Sequence, residues 1–133
     1  MTSETKTYFE IQLDQLVKEH YLPEYYYVQV RQSKSFMENY LSEKIELEKI
    51  AGAAFMSRFH FIRIFKRVYG ISPRQYLKDL RINKGKELLK QGLKIPQVCF
   101  EVGYDSIPTF CSAVRKATGY SPREYQNLNK SNL

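Results

Sequence analysis

A chain of 133 residues, 43% of them hydrophobic, carries enough apolar surface for one core or two small lobes, which excludes a disordered polypeptide. No apolar run approaches the length of a membrane-spanning helix, and the N-terminus has no basic segment followed by an apolar one, so a cytoplasmic protein is expected. The formal charge of +7 is uneven: residues 1–40 hold four basic and six acidic side chains (net −2), and residues 41–133 hold 17 and eight (net +9). The basic part therefore expects a polyanionic partner, either nucleic acid or an anionic membrane surface.

Every strong pattern has the helical period, and no alternating strand run stands out. Residues 8–20 place Phe9, Leu13, Leu16, Val17 and His20 on one face of a first amphipathic helix, broken at Leu22-Pro23. A second helix is expected from about Tyr25 to Leu41, with Val28, Phe36, Met37 and Tyr40 inward. Tyr25, Tyr26 and Tyr27 are read as packing residues in preference to an aromatic contact surface. A third helix covers about Leu47 to Phe55, with Leu47, Ile50, Ala51 and Ala54 facing the core. After a turn at Phe55-Met56, Ser57 is the N-cap of a fourth helix reaching about Tyr69, with Phe61, Ile64, Phe65 and Val68 buried. Gly70 takes the left-handed position just past its end. Ser72-Pro73 opens a long fifth helix to about Lys90, with Tyr76, Leu77, Leu80, Leu88 and Leu89 inward and Gly92 ending it.

The plan then repeats. The 22 residues from Met56 to Leu77 return 49 positions later, from Asp105 to Gln126, with seven identities: Ser57/Ser106, Phe61/Phe110, Gly70/Gly119, Ser72-Pro73-Arg74/Ser121-Pro122-Arg123 and Tyr76/Tyr125. The preceding helix matches at an offset of 48, Val98, Cys99 and Val102 answering Ile50, Ala51 and Ala54, so the second turn, Gly103-Tyr104-Asp105, is one residue longer. Gly119 ends that helix, and Ser121-Pro122 opens a short last one to about Tyr125, followed by a polar tail from Leu128 to Leu133. A degenerate repeat of this length is one supersecondary unit used twice. Cys99 and Cys111 form no CxxC pair and are expected to be buried reduced thiols.

Two short helices, a turn of three or four residues and a basic second helix describe a helix-turn-helix. From Ser57 to Arg74 there are five basic residues and no acidic one. Outside the buried stripe, Phe59, Ile62, Arg63 and Lys66 share one face, on which Arg63 suits guanine while Phe59 and Ile62 suit thymine methyls. A protein-interaction module and a basic membrane-surface binder are the alternatives. An enzyme is not expected: His20 and His60 are far apart, and there is no HExxH, no Cys/His ligand set, no phosphate loop and no nucleophile motif. No metal or cofactor is expected either.

The chain resembles the DNA-binding domain of the AraC/XylS family of bacterial transcription regulators, over about three quarters of its length, from Tyr26 to Gln126. The resemblance is carried by Leu47-Glu48-Lys49-Ile50-Ala51, Met56-Ser57, Arg63-Ile64-Phe65-Lys66 and Gly70-Ile71-Ser72-Pro73. It continues through Tyr76-Leu77, Arg81-Ile82, Leu88-Leu89, Val98 and Val102-Gly103-Tyr104, and ends at Gly119-Tyr120-Ser121-Pro122 and Tyr125. It implies an all-α fold of two helix-turn-helix lobes, homeodomain-like, joined by a linker helix, with an N-terminal helical extension. The expected bounds are 1–24 for the extension and 25–128 for the domain, with helix-turn-helix units at about 47–70 and 95–119, a linker at about 73–91 and a tail at 129–133. It further implies a transcriptional regulator, of the activator kind, that sets two helices in successive major grooves about 10 bp apart.

The base readers implied are Arg58, Phe59, Ile62 and Arg63 in the first lobe and Ile107, Pro108, Thr109, Cys111 and Ser112 in the second. Phosphate contacts are expected from Ser57, His60, Lys66, Arg67, Ser72 and Arg74, and from Ser106, Arg115, Lys116, Ser121 and Arg123. The second reading face has no basic or amide side chain before Arg115, and Pro108, Ser112 and Val114 depart from the family pattern, so most sequence readout is expected from the first lobe. Gly85 also departs, standing where alanine is usual in the linker, and is read as allowing either close packing or a slight hinge. Larger members of the family add a ligand-binding barrel or a receiver domain, and this length is expected to hold neither. Double-stranded DNA is the expected partner, with RNA polymerase as a further one, no membrane and no small-molecule domain. The chain is then a monomer or a weak dimer formed through residues 1–40, a segment expected to pack on the domain in preference to dimerising.

Overall fold

The computed structural model describes residues 7–11 and 23–131, and every regular element among them is helical. Residues 8–11 form a helical turn, in which Thr7 Oγ1 accepts from Glu10 N at 3.2 Å. The rest of the expected first helix, with Leu13, Leu16, Val17 and His20, lies outside the described residues. The elements that follow are α1 (Glu24–Tyr40), α2 (Leu47–Ala53), α3 (Arg58–Tyr69), α4 (Pro73–Lys90), α5 (Ile95–Glu101), α6 (Ile107–Thr118) and α7 (Pro122–Ser131).

Local chemistry explains the boundaries. Ser57, Ser72, Ser106 and Ser121 each accept a hydrogen bond from the backbone N–H three residues on, at 3.2–3.4 Å, satisfying a donor that a helix start leaves orphaned. Gly70 and Gly119 end α3 and α6 at φ of 79° and 83°, as the repeat anticipated. The last helix corrects the sequence reading. It runs on to Ser131 rather than stopping near Tyr125, because Ser121 and Glu124 cap each other reciprocally and the Gln126 side chain ties it down.

Two cores result. The first gathers Tyr26, Val30 and Met37 of α1 with Ile50, Ala51, Phe61, Ile64, Phe65 and Leu77; the second gathers Ile82, Leu88, Leu89, Val98, Cys99, Val102, Phe110 and Val114. Phe61 and Phe110, paired in the repeat, are both fully buried, each contributing about 2–3 kcal/mol by area removed from water. The buried stripe of α1 is not the expected one. Tyr26, Val30, Ser33 and Met37 face inward, whereas Val28 and Tyr40 are exposed and Phe36 is only partly covered. Ser33 hid the register, since a serine reads as polar, yet here its hydroxyl donates to Val30 O at 2.6 Å and is buried at no cost in unmet bonding. Of the three tyrosines only Tyr26 is buried; Tyr25 and Tyr27 are exposed, with the Tyr25 ring centroid 4.4 Å from that of Tyr26. In the linker, Ile82 and Gly85 are buried where Tyr76 and Leu80 were expected to be, and those two are partly covered.

Helix α4 spans both cores, and Leu41 packs against both. Arg81, midway along α4, donates from Nε to Leu41 O at 2.9 Å and from Nη2 to Glu43 O at 2.8 Å. At the far end Gln126 Nε2 donates to Leu89 O at 3.1 Å, a carbonyl that also accepts from Gly92 N, and to Leu93 O at 2.8 Å in the turn after α4. Gly85 resolves in favour of close packing: a methyl group there would stand 3.2 Å from the Phe110 ring, which lies directly on the linker backbone.

The two short first helices end in the same Schellman turn. Met56 N donates to Ala51 O at 3.0 Å, and 48 residues later Tyr104 N donates to Cys99 O at 3.0 Å. Its left-handed position is Gly103 in the second lobe, at φ 92°, but Phe55 in the first, at φ 56°. Phe55 is 76% exposed, so its ring returns little packing for a conformation that disfavours any side chain. Phe55→Gly is expected to raise the stability of the domain by about 1 kcal/mol, seen as a higher urea midpoint at unchanged slope. A lowered midpoint would show that the ring makes compensating contacts.

Candidate nucleic-acid interface

The exposed face of α3 begins at its cap. Ser57 holds the helix start, leaving Arg58 and Phe59 in the first turn, Phe59 with 76% of its surface open to solvent. The Arg58 guanidinium lies 6.0 Å from the Phe59 ring centroid and donates to Glu48 Oε1 at 3.1 Å. One turn on, Arg63 is exposed and Ile62 half-buried, and Lys66 and Arg67 lie exposed in the last turn. Six of the residues expected at the interface thus lie together on one surface. His60 does not join them: its ring packs edge-on against Tyr26 of α1, with centroids 5.3 Å apart. Ser72 caps α4, and Arg74 is exposed in its first turn.

The corresponding face of α6 has different chemistry. Pro108, Thr109 and Ser112 are exposed, and the proline occupies the first turn, where no N–H is required of it. Ile107 is half-buried against the second core and Cys111 is half-buried. Cys99 is fully buried, and burial pushes its thiol above the usual cysteine pKa. The Ser106 hydroxyl accepts from Thr109 N and donates to Thr109 Oγ1 at 2.7 Å, so the turn itself uses its bonding capacity. Arg115 stands 3.7 Å from Glu124. Hydrogen bonds from Ser121, helped by Arg115, hold the exposed Glu124 carboxyl below the usual carboxylate range. Lys116 and Arg123 are exposed.

Both lobes therefore present a solvent-facing helix whose N-terminal turn is accessible and whose last turn is basic, an arrangement suited to a groove flanked by phosphates. Two acidic partners were missed. Glu48 meets Arg58 across ten residues with no local pattern to announce it, whereas Glu124 was legible as the fourth residue of a Ser-x-x-Glu capping box. Among the described residues no group of acidic, histidine and cysteine side chains is arranged to hold a metal ion, and no helix is long and apolar enough to cross a membrane.

Residues 50–128 match the family described as a helix-turn-helix domain. The chain is 31% identical over 124 residues to the uncharacterized HTH-type transcriptional regulator YdeC of Bacillus subtilis (strain 168), covering 91% of this chain and 40% of that one. It spans less than half the length of the curated relatives it matches. A transcriptional regulator from Chromobacterium violaceum with an AraC-type DNA-binding domain superposes with a TM-score of 0.72 at 30% identity, over 77% of this chain and 93% of that one. The DNA-binding domain of the global transcriptional factor AdpA, solved in complex with a target DNA, superposes with a TM-score of 0.75 at 25% identity, over 78% and 95%.

Proposed function

The chain belongs to the AraC/XylS family of two-lobed helix-turn-helix proteins, and from that premise we propose that it is a sequence-specific, double-stranded DNA-binding regulator of transcription. The observation that carries this reading is the duplicated unit on one linker: α3 and α6 are each capped by serine, ended by a left-handed glycine and exposed along one face. A rigid pair of this kind addresses two successive major grooves on one face of the duplex.

Within this proposal the first lobe does most of the sequence reading. Phe59, Ile62 and Arg63 offer methyl contacts and a bidentate donor, with Arg58 beside them, whereas the exposed part of α6 offers a proline, a threonine and a serine. Cys111 and Ile107, half-buried, contribute at the edge of that face. Lys66, Arg67, Arg74, Arg115, Lys116 and Arg123 hold phosphates, assisted by the helix starts at Ser57, Ser72, Ser106 and Ser121.

In vitro site selection with the whole chain tests the reading. The expected product is a bipartite site with half-sites about 10 bp apart, one chain bound per duplex, and sharper base preference in one half. A pool that shows no enrichment, together with tight binding to anionic vesicles, would overturn it. On the selected duplex, Lys66→Ala and Arg115→Ala should each weaken all sequences alike and reduce the slope of log affinity against log salt by about 0.9. A loss confined to particular base pairs would contradict their phosphate role. RNA polymerase as a further partner belongs to the same proposal, tested by transcription from a promoter bearing the site; a weak dimer through residues 1–40 is the alternative to one chain per duplex, tested by sedimentation of the complex.

A further inference from the structure

The linker helix carries a cation on one face at each of three successive turns: Arg74, Lys78 and Arg81, at spacings of four and three. Together with Lys116 of α6 they line a single cleft of about 660 Å³, and no carboxylate lines it. Arg74 also borders the adjoining hollow beside α3, which it shares with Arg58 and with the carboxylates Glu46 and Glu48, the latter paired with Arg58. The uncompensated cations are therefore those of the cleft itself, on the linker and α6. Arg81 is committed to the carbonyls of Leu41 and Glu43, but Arg74, Lys78 and Lys116 make no ion pair among the described residues. The neighbouring acid, Asp79, takes a hydrogen bond from Gln75 Nε2 at 2.9 Å and does not line the cleft. Like charges four apart on a helix repel, so Arg74 and Lys78 side by side are unfavourable in the free protein.

We propose that this cleft seats the sugar–phosphate backbone where the duplex passes between its two major grooves, making the first half of the linker helix a third DNA-contacting element with Lys78 at its centre. The proposal rests on the DNA-binding reading above. Two helices in successive major grooves on one face must straddle the minor groove between them, and the phosphates edging that groove then face whatever joins the helices. In this chain the joining surface is the cleft. Pro108, Thr109 and Ser112 of the second reading face border the same space as Lys78, so a duplex lying on α6 also lies over α4. Phosphates there relieve the Arg74–Lys78 repulsion and release their own counterions, and the contact carries no sequence preference.

The test uses the whole chain on its selected duplex. Lys78→Gln is expected to reduce the salt slope by about 0.9, and Arg74→Gln with Lys78→Gln by about twice that, with base preferences unchanged in a repeated selection. Both side chains are exposed, so thermal denaturation of the variants should match the parent. Neutral methylphosphonates placed at the phosphates between the half-sites should weaken the parent chain and leave the double variant almost unaffected. An unchanged slope, an altered base preference, or an equal methylphosphonate penalty in parent and variant would overturn the site while leaving the DNA reading intact. Stoichiometric binding of inorganic phosphate without DNA, lost in the double variant, would make the cleft a small-anion pocket and overturn it likewise. A parent chain that selects no duplex overturns the DNA reading itself, and this site with it.

Discussion

Gly103→Ala is expected to destabilise the domain by about 2–4 kcal/mol, a large part of the stability of a protein this size. Gly103 sits at φ 92°, where a side chain costs about 1–2 kcal/mol by itself. The added methyl group would also collide with Leu41 O and approach Arg81 Nε to 3.0 Å. Those two atoms form the hydrogen bond that ties the linker helix to the segment after α1. Relieving the collision means lengthening or breaking that bond, at about 1–3 kcal/mol for the partly buried carbonyl left behind. Phe55 occupies the same turn position in the first lobe, exposed, and pays only the conformational part. Urea denaturation measures the loss, and an unchanged midpoint would mean that the segment from Leu41 to Glu46 yields freely. Because Leu41 packs against both cores, the variant should also bind a bipartite site more weakly at temperatures where it remains folded, while its affinity for an isolated first half-site changes little.

Arg63→Ala is expected to cost about 1–3 kcal/mol on the selected duplex and to relax one base position, since an arginine forked onto guanine supplies two directed bonds that alanine cannot replace. The residue is exposed in the second turn of α3, on the surface that also presents Phe59. Its effect should exceed that of replacing Ile107 and Ser112 together. Ile107 is already half-spent on the second core and Ser112 offers one short hydroxyl. A second selection with each variant supplies the ranking. Equal or larger loss of specificity from the α6 pair would reverse the assignment of reading to the first lobe.

Arg58 shows why a list of exposed cations does not translate directly into contacts. In the free protein it is paired with Glu48, both side chains half exposed or more, so the pair is weak and easily exchanged for a phosphate or a base edge. The pair still orients the guanidinium across the first turn of α3, beside the Phe59 ring. His60 marks the opposite case. Its position beside the reading face suits a phosphate contact or packing, and α1 sets Tyr26 edge-on against its half-buried ring.

Much of the fold was legible because its signals are local. Serine caps, the Ser-Pro helix starts, left-handed glycines and the apolar stripes of α2, α3, α5 and α6 each depend on residues within a few positions of one another. The misread features have two different causes. The register of α1 turned on a buried serine that bonds its own backbone. The extent of α7 turned on Gln126 reaching carbonyls more than 30 residues away, at Leu89 and Leu93. The candidate readers on α3 were legible from helical spacing alone; Lys78 was not, because its significance lies in sharing a cleft with Lys116 of another helix.

By itself the sequence determined the repeated unit, its helical character, its basic faces and the different side chains on the exposed face of the second copy. All of these are properties of short stretches whose backbone preferences and side-chain spacing act locally. Only the tertiary structure decided how the two copies stand to each other. That arrangement depends on Arg81 and Gly103 both meeting the carbonyl of Leu41, on Phe110 lying against Gly85, and on cations from separate helices facing one space. Such contacts join residues tens of positions apart, and no local propensity encodes them.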